Sequence, residues 1–344
     1  MSLQERLSCT LIALVAVGLA VRLAHAPLSA GYRTNYPVFE QLGATNRGDG
    51  NLSNAWGLAS NPTGPIWISD NNTGISAAYM GKGVRQPTVV TIPTFNGTGI
   101  GSPTGVAYNS TADFTLTQNG ISGVAVVIFV TDDGTISGWS PSVNASKAVI
   151  AVDNWPSGAD YTGATIGSAN GSSYLYACDH SNHRVDIYDG HFNFISSFTD
   201  ANLPAGAAPY NVALIKGLLY VTFTGSSGGG VVDVFDMAGN FVKRFASGGT
   251  LQSPWGLALA PENFGPASNS LLVGNFGDGT VSYFNIDTGK FGGQLRSASG
   301  GTLTIGGLRG LEFGAGMNGP DSELFFTAGP KVYAQGAVGT IEYR

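Results

Sequence analysis

Polar side chains recur at one position of this sequence, at the end of short runs of β-forming residues. Asp70 ends the run that begins at Ile66, and the same relation recurs further along the chain at Asp132 and Asp179. Carboxylate and amide oxygens are the ligands that Ca²⁺ prefers in proteins. One prediction is therefore a divalent cation such as Ca²⁺, held by Asp70, Asp132, Asp179 and Asn275. In the alternative interpretation, each aspartate only accepts hydrogen bonds from the backbone of its own turn.

A second recurrent position carries aromatic, hydroxyl and cationic side chains. It usually precedes a glycine and an apolar residue, as in Trp56-Gly57-Leu58. Aromatic rings offer surface for stacking, and a few polar groups fix the orientation of a ligand. This position predicts a ligand site made by Trp56, Thr104, Thr162, Tyr210, Trp255 and Arg309. The alternative is that its aromatic members pack between neighbouring structural units.

The sequence contains no complete catalytic set, so catalytic residues stay unassigned. After residue 26 the histidines are His180, His183 and His191, and they show no arrangement with serine and aspartate that can be argued. The spacing of His180 and His183 is not that of a zinc site, and no cysteine or third histidine assists them. Whether the protein is an enzyme is left open.

Both positions belong to one repeat that occurs six times, about 50 residues apart. Each unit contains an opening strand, a second β-rich run ending in a polar residue, a turn, and further alternating strands. Four short strands per unit without helical periodicity predict an all-β, six-bladed β-propeller with four-stranded blades. Such a fold brings both recurrent positions to one mouth of the central channel. A two-sheet sandwich is the alternative, but it does not explain the repeat.

The last unit is short, and this predicts how the ring closes. From Arg309 onward there is room for three strands, the last at 339–343, while an unassigned strand at 36–42 precedes the first repeat. We expect this N-terminal strand to complete the last blade, which leaves few open sheet edges.

The amino-acid composition indicates the fold class and excludes one kind of binding partner. Only 11% of the 344 residues are charged, 51 are glycine, and the formal net charge is −6. Few charges, many glycines and abundant β-forming residues are typical of a turn-dense all-β protein. Since there is no basic run, nucleic acid is excluded as an expected partner.

The N-terminus resembles a targeting segment. An apolar run at 10–21 follows Arg6, and Ala24-His25-Ala26 has the small-x-small pattern of a signal-peptidase site. The run is shorter than the roughly 20 residues that span a bilayer. We expect a signal peptide at 1–26 and a single mature domain at 27–344, secreted or periplasmic, with no membrane anchor after cleavage. In the alternative interpretation the N-terminal segment is not cleaved and stays in the membrane as an anchor. If cleavage removes Cys9, Cys178 is the remaining cysteine, and its position in the apolar run 174–178 predicts a buried, inert thiol.

Six Asn-x-Ser/Thr triplets matter if the host glycosylates its exported proteins. They all lie in the first half of the chain, so glycans would coat one sector of the ring. The candidate glycosylation sites are Asn51, Asn71, Asn96, Asn109, Asn144 and Asn170.

The segment 179–185 resembles the turn of NHL repeats, and long ordered segments such as 54–59, 254–261 and 271–279 extend the resemblance over most of the chain. The sequence is similar to a family of secreted, NHL-like six-bladed propellers without a settled biochemical role. This resemblance implies fold and export and supplies no catalytic residues.

Lactonase-type propellers are a more distant resemblance, and they hold an axial metal with a glutamate, an asparagine and an aspartate. Here no glutamate occupies the aligned position. The nearest is Glu312, three residues after Arg309. An odd offset along a strand predicts that Glu312 lies on the opposite sheet face, between blades.

Three functions follow as hypotheses. The first is an exported, non-enzymatic propeller that binds a small molecule, a glycan or a protein at the mouth. The second is a metal-assisted hydrolase, lactonase-like enzyme or lyase that uses the aspartate and asparagine ring. The third is a structural extracellular protein. Fold alone cannot choose among them, because propellers host all three.

Overall fold

The computed structural model describes residues 30–39, 48–225, 229–330 and 335–344. Within them, six four-stranded antiparallel sheets form the blades of a β-propeller, as the repeat predicts. Strand β1 spans Tyr32–Phe39 and belongs to the last blade. The predicted signal peptide at 1–26 lies outside the described residues.

The blades follow the chain order of the six repeats. Blade one contains β2 (Ala55–Ser60), β3 (Ile66–Asp70), β4 (Ile75–Met80) and β5 (Val84–Thr91). In blade two, β6 (Pro103–Tyr108) is followed by a hairpin of β7 (Thr115–Gln118) and β8 (Ile121–Val124), then by β9 (Val127–Thr131), β10 (Thr135–Trp139) and β11 (Val149–Asp153). Blade three contains β12 (Tyr161–Ala169), β13 (Ser172–Asp179), β14 (Arg184–Asp189) and β15 (Phe194–Phe198).

The second half of the ring is built in the same way. Blade four contains β16 (Ala208–Ile215), β17 (Leu218–Thr224), β18 (Gly229–Phe235) and β19 (Phe241–Gln252). Blade five contains β20 (Pro254–Leu259), β21 (Ser270–Asn275), β22 (Val281–Asn285) and β23 (Phe291–Gln294). Blade six contains β24 (Leu308–Phe313), β25 (Leu324–Ala328), β26 (Ala337–Tyr343) and β1. The described ranges also contain five 3₁₀ turns, at Gly81–Gly83, Phe95–Gly97, Trp155–Ser157, Gly265–Ala267 and Gly316–Asn318.

Apolar faces of adjacent blades make the core. Every residue of β3, β9 and β25 is buried, since each of these strands lies inside its own sheet and between two other blades. Between blades four and five, for example, Tyr220 and Val232 pack with Leu271. Burial on both faces explains why the second strand of each repeat is almost continuously apolar in sequence.

Strand β1 closes the ring. It pairs antiparallel with β26, with Tyr32 opposite Tyr343, so that it is the outer strand of blade six. The buried Tyr32 hydroxyl donates to the Phe264 carbonyl at 2.8 Å and accepts from the Ala267 amide at 3.0 Å. The predicted closure is therefore confirmed, with the strand at 32–39 in place of 36–42; residues 40–42 lie outside the described ranges.

Each innermost strand carries one β-bulge near its first residue. In blade five, Pro254 pairs with Asn275 and Gly256 with Gly274, so that Trp255 has no residue opposite it. The equivalent irregularity recurs in the other five blades. Because a bulge breaks the alternation of side chains, it re-aims the bulged residue relative to the rest of the strand. The residues predicted to bind a ligand all lie at these bulges.

None of the helices in the described part of the chain has the length and apolar character needed to span a membrane.

Candidate functional site

The innermost strands begin at one end of the central channel, which we call the mouth. The turns that follow the second strands, and the loops that enter the next blade, lie at the same end because neighbouring strands are antiparallel. Two of the six bulged residues, Trp56 and Tyr210, are half-buried there. The other four, Thr104, Thr162, Trp255 and Arg309, are buried.

Arg309 is held between aromatic rings. Its guanidinium carbon lies 3.9 Å from the centroid of the Trp56 ring and 4.7 Å from that of Phe276, and Nη1 donates to Asn54 Oδ1 at 2.8 Å. Guanidinium groups are attracted to aromatic faces, more so when water is excluded. Arg309 therefore contacts an aromatic ring of blade one and an aromatic ring of blade five at the same time. Phe276 was not predicted as a site residue, although it directly follows the predicted Asn275.

Tyr210 extends this aromatic cluster across the channel. Its ring meets the edge of Trp56 at 6.4 Å and that of Phe276 at 6.2 Å, measured between centroids. The ring centroid of His180 lies 5.7 Å from that of Tyr210, and His180 Nδ1 is 3.0 Å from the Pro209 carbonyl oxygen. Rings from blades one, three, four and five thus meet at the mouth. Such rings prefer edge-to-face contacts because of their quadrupoles.

The buried bulge residues support the mouth from below. Trp255 Nε1 donates to the Thr162 carbonyl at 3.1 Å, which joins blade five to blade three. Asn211 Nδ2 donates to the Trp255 carbonyl at 2.9 Å. The Thr104 hydroxyl donates to the Val130 carbonyl at 3.1 Å and also to that of Tyr161. With their polar atoms in these bonds, Trp255 and the two threonines form a floor rather than the accessible surface.

The four residues predicted to hold a cation do not converge on one point. Asp179 accepts hydrogen bonds from the Asp160 and Asn182 amides, both at 3.2 Å, and its other oxygen accepts from Asn182 Nδ2 at 2.7 Å. Asn275 Oδ1 accepts from the Gln252 amide at 3.0 Å, and its Nδ2 donates to the Thr250 carbonyl at 2.8 Å. Asp179 thus bonds the backbone of its own turn, as in the alternative interpretation, whereas Asn275 joins its turn to the outer strand of blade four.

Asp70 and Asp132 lie in different surroundings. Asp70 is fully buried, and neither carboxylate oxygen has a hydrogen-bond partner in the described structure. Burial, together with the nearby Asp49, holds the pKa of Asp70 well above its usual range. Asp132 is exposed at the mouth and accepts from Asn71 Nδ2 at 3.4 Å. Within the described ranges, no group of three or more His, Cys, Asp or Glu residues is placed to hold a metal ion.

Asp160 is an acidic residue at the mouth that the sequence did not single out. It lies in the loop 154–160 between β11 and β12, and burial followed by the charges of Asp132 and Asp179 raises the pKa of its carboxyl to about 6. Its Oδ1 has no hydrogen-bond partner among the described residues. Asp132 and Asp160 thus offer a pair of acceptor groups, one exposed and one half-buried. A carboxyl that titrates near neutrality can also exchange a proton with a bound molecule.

The same loop carries an exposed aromatic platform. Trp155 stacks on Phe95 with 4.3 Å between ring centroids and 8° between planes, and 52% of Trp155 is exposed. Phe95 belongs to the loop that enters blade two, so both rings project from the mouth side. The Asn154 amide donates to the Gly134 carbonyl at 2.9 Å, which ties this platform to the turn that contains Asp132.

Glu312 contacts the neighbouring blade, as its odd offset predicts. Its Oε1 accepts from the Ser60 amide at 3.2 Å and from the Ser60 hydroxyl at 2.6 Å, so the side chain does reach the neighbouring blade. It also lines the central cavity, on the side away from the mouth. The bulge at Arg309 shifts the register between Leu308 and Leu311, and beyond it Glu312 still bonds to blade one.

The predicted glycosylation sites differ in accessibility. Asn96 and Asn170 are exposed, whereas Asn51, Asn71 and Asn144 are half-buried. Asn109 is buried, and its Nδ2 donates to the Asp113 carbonyl at 3.0 Å and the Ala125 carbonyl at 2.8 Å. A glycan on Asn109 would break both bonds, so the folded chain does not accept one there.

Two comparisons place the chain among known proteins. No family model matches it. The uncharacterised protein R640 of Acanthamoeba polyphaga mimivirus is 33% identical over 268 residues, which cover 72% of this chain and 48% of that protein. The uncharacterised protein L690 of the same virus is 29% identical over 337 residues, covering 91% and 86%. The chain thus spans about half the length of R640 and most of L690.

Solved structures share the fold at low sequence identity. Virginiamycin B lyase from Staphylococcus aureus has a TM-score of 0.53 and 11% identity, covering 90% of this chain and 99% of that one. The soluble aldose sugar dehydrogenase from Escherichia coli has a TM-score of 0.56 and 14% identity, covering 91% and 100%. These neighbours support the propeller fold and show that distantly related propellers include enzymes.

Proposed function

We propose that this chain is an exported, NHL-like propeller that binds a glycan at its mouth. The observation that carries the proposal is the combination of an exposed, stacked Trp155 with the acceptor carboxylates Asp132 and Asp160 at the same mouth. Ring-shaped polar ligands need both an apolar surface for one face and polar partners for their edges.

The platform and the carboxylates would meet different parts of a sugar. The C–H face of a pyranose packs on the exposed indole of Trp155, while hydroxyl groups donate to Asp132 and Asp160. Asn71 and Asn182 stand beside these carboxylates and donate to Asp132 and Asp179 respectively. Since three aspartates lie at this side of the mouth, neutral or amino sugars fit better than anionic ones.

The half-buried rings would form the inner wall of the site. Trp56 and Tyr210 are fixed by Arg309, Phe276 and His180, and a ligand that enters past the carboxylates meets a preformed surface. Preformed sites lose less conformational entropy on binding. Trp255, buried beneath, would act on binding only through the position of its neighbours.

A glycan array tests this proposal. Labelled protein of residues 27–344 is expected to bind a limited set of neutral or amino-sugar glycans. Trp155→Ala is expected to weaken the tightest of these by roughly 10-fold or more, since losing an aromatic contact costs on the order of 1.5 kcal/mol. Phe291→Ala on the outer strand of blade five, where 46% of the residue is exposed, is the matched control and should bind normally. Absence of saturable glycan binding would reject the proposal.

The raised pKa of Asp160 favours a second candidate function, in which the protein is a lyase or hydrolase that acts on the bound sugar. This reaction would not use the predicted cation site. Because the pKa of Asp160 is about 6, its carboxyl can take up and release a proton near neutral pH. In that case Asp160→Asn should abolish turnover of the array ligand and retain its binding. Equal product formation by the variant would eliminate this candidate.

A further inference from the structure

The loop 154–160 carries two residues of the proposed glycan site, Trp155 near its start and Asp160 at its end. Both ends of this loop are joined to one polar network that lies between blades two and three. We call it the tyrosine network, and its members are Asn154, Tyr161, Asp179, Arg184, Asp186 and Tyr188. The two tyrosines and the two aspartates are buried, so the network belongs to the protein interior.

At the start of the loop, the side chain of Asn154 enters this network. Its Nδ2 donates to the hydroxyl oxygens of Tyr161 and Tyr188, each at 2.7 Å. The Tyr161 hydroxyl donates in turn to Asp186 Oδ2 at 2.9 Å, and the Tyr188 hydroxyl oxygen lies 2.7 Å from that of Tyr161. Polar groups bonded to one another in the interior have little freedom to move, so the network fixes the position of Asn154.

At the end of the loop, Asp160 is joined to the same network through its backbone. Its amide donates to Asp179 Oδ1 at 3.2 Å, and its carbonyl accepts from the His180 amide at 2.7 Å. Arg184 connects the two aspartates of the network, because its Nε lies 2.8 Å from Asp186 Oδ1 and its Nη2 lies 3.8 Å from Asp179 Oδ2. The buried carboxylate of Asp186 therefore has a cationic partner.

Backbone hydrogen bonds complete the loop between these two anchored ends. The amides of Ser157 and Ala159 donate to the Asn154 carbonyl at 3.0 and 3.3 Å, and the Gly158 amide donates to the Trp155 carbonyl at 2.9 Å. Fixing Asn154 and Asp160 thus fixes the turn that presents the exposed indole of Trp155.

We propose that the tyrosine network holds Trp155 and Asp160 in their relative positions before a ligand binds, with Tyr161 as the positioning residue at its centre. Tyr161 is fully buried, so it acts on a ligand only through the loop. This inference rests on the proposed glycan binding at the mouth. A site that is already formed loses less conformational entropy on binding, so a looser loop binds more weakly although every contacting side chain is retained.

Tyr176 provides a matched control within the same blade. It is as fully buried as Tyr161, and its hydroxyl donates to the Met237 carbonyl at 2.7 Å. Met237 lies in the turn between β18 and β19, at the end of the ring away from the mouth. Tyr161→Phe and Tyr176→Phe therefore each remove one buried hydroxyl, the first from the tyrosine network and the second from the opposite end of the ring.

Hydrogen–deuterium exchange of residues 27–344 without ligand is the first measurement. The amides of residues 157–160 all donate hydrogen bonds, and in Tyr161→Phe we expect them to exchange roughly 10-fold faster than in the unaltered protein. In Tyr176→Phe they should exchange at the unaltered rate. Asn154→Ala removes both bonds to the tyrosines without changing the core, so it should act like Tyr161→Phe and replaces that variant if it does not fold.

Affinity for the tightest array glycan is the second measurement. Tyr161→Phe and Asn154→Ala should each weaken binding by roughly 10-fold, whereas Tyr176→Phe should bind like the unaltered protein. A purely structural role of Tyr161 would give the two Phe variants the same affinity.

The inference is overturned if loop exchange in Tyr161→Phe and Asn154→Ala equals that in Tyr176→Phe, or if both network variants bind the glycan normally. Failure of the proposed function is a different result, in which the unaltered protein shows no saturable glycan binding. The exchange measured without ligand would then decide by itself whether the network holds the loop.

Discussion

At the scale of single residues, the bulge at each innermost strand decides what the side chains do. It points some toward the mouth, as with Tyr210, and sends others into the floor, as with Trp255. The same sequence position therefore has two roles in one ring. The surroundings of the side chain decide between them, because the two tryptophans at this position differ: the indole of Trp255 donates to a carbonyl across the channel, whereas Trp56 lies with Tyr210 among other rings.

Glu312 gives a stability prediction at this scale. The folded chain raises its pKa from 4.5 to about 7, so folding favours the neutral carboxyl. The contribution is fully present below about pH 4.5 and is lost as pH rises through 7. Glu312→Gln should therefore melt like the unaltered protein at about pH 4.5 and higher by roughly 3 °C at about pH 8.5. Thermal melts across this range measure it, and a constant difference at all pH values would contradict it.

Cys178 gives a prediction on reactivity. Its side chain is fully buried, and burial raises the pKa of the thiol well above its usual range. Because the thiolate is the reactive form, a chromogenic disulfide reagent should leave residues 27–344 unmodified in the native state. One equivalent should react in concentrated guanidinium. Rapid reaction of the folded protein would show that the thiol is accessible after all.

At the scale of elements, closure of the ring depends on β1. Tyr32→Phe removes a hydroxyl that bonds Phe264 and Ala267 in a buried place. Two buried backbone groups lose their partner, so the free energy of unfolding should fall by about 1–3 kcal/mol in urea titrations. Tyr343→Phe on the paired strand is the matched control, because no described residue bonds its hydroxyl. Equal stability of the two variants would mean that these bonds do not hold the closing strand.

Most of the strands could be predicted from sequence because the same pattern of apolar and turn residues occurs in all six repeats. Buried second strands such as β13 and β21 read as continuous apolar runs, and the short last unit revealed the closure. The β7–β8 hairpin interrupts blade two without a repeat partner, so periodicity gave no signal for it. Its apolar Phe114 and Leu116 extend the core between blades two and three.

The site was less predictable than the fold, for a geometric reason. Aligned positions locate residues along a strand, but a bulge decides which face they take. Asp160 and Trp155 lie in a loop whose length differs between repeats, so alignment could not bring them into the mouth. Phe276 directly follows Asn275, which was predicted as a site residue. An aromatic residue immediately after the second strand was the sequence feature that could have identified it.

At the scale of the whole molecule, the proposed export predicts a pattern of glycans. If the chain is secreted by a host that glycosylates, mass spectrometry should find occupancy at the exposed Asn170 and Asn96 and none at the buried Asn109. Full occupancy at Asn109 would contradict the buried placement of its amide.

The most direct test of the central claim, that the mouth is the binding site, is hydrogen–deuterium exchange of residues 27–344 with and without the tightest array glycan. The account predicts protection in the loop 154–160 and the turn 179–183, with unchanged exchange in the outer strands of blades four and five. Protection confined to those outer strands, or no protection at the mouth under saturating ligand, would contradict it.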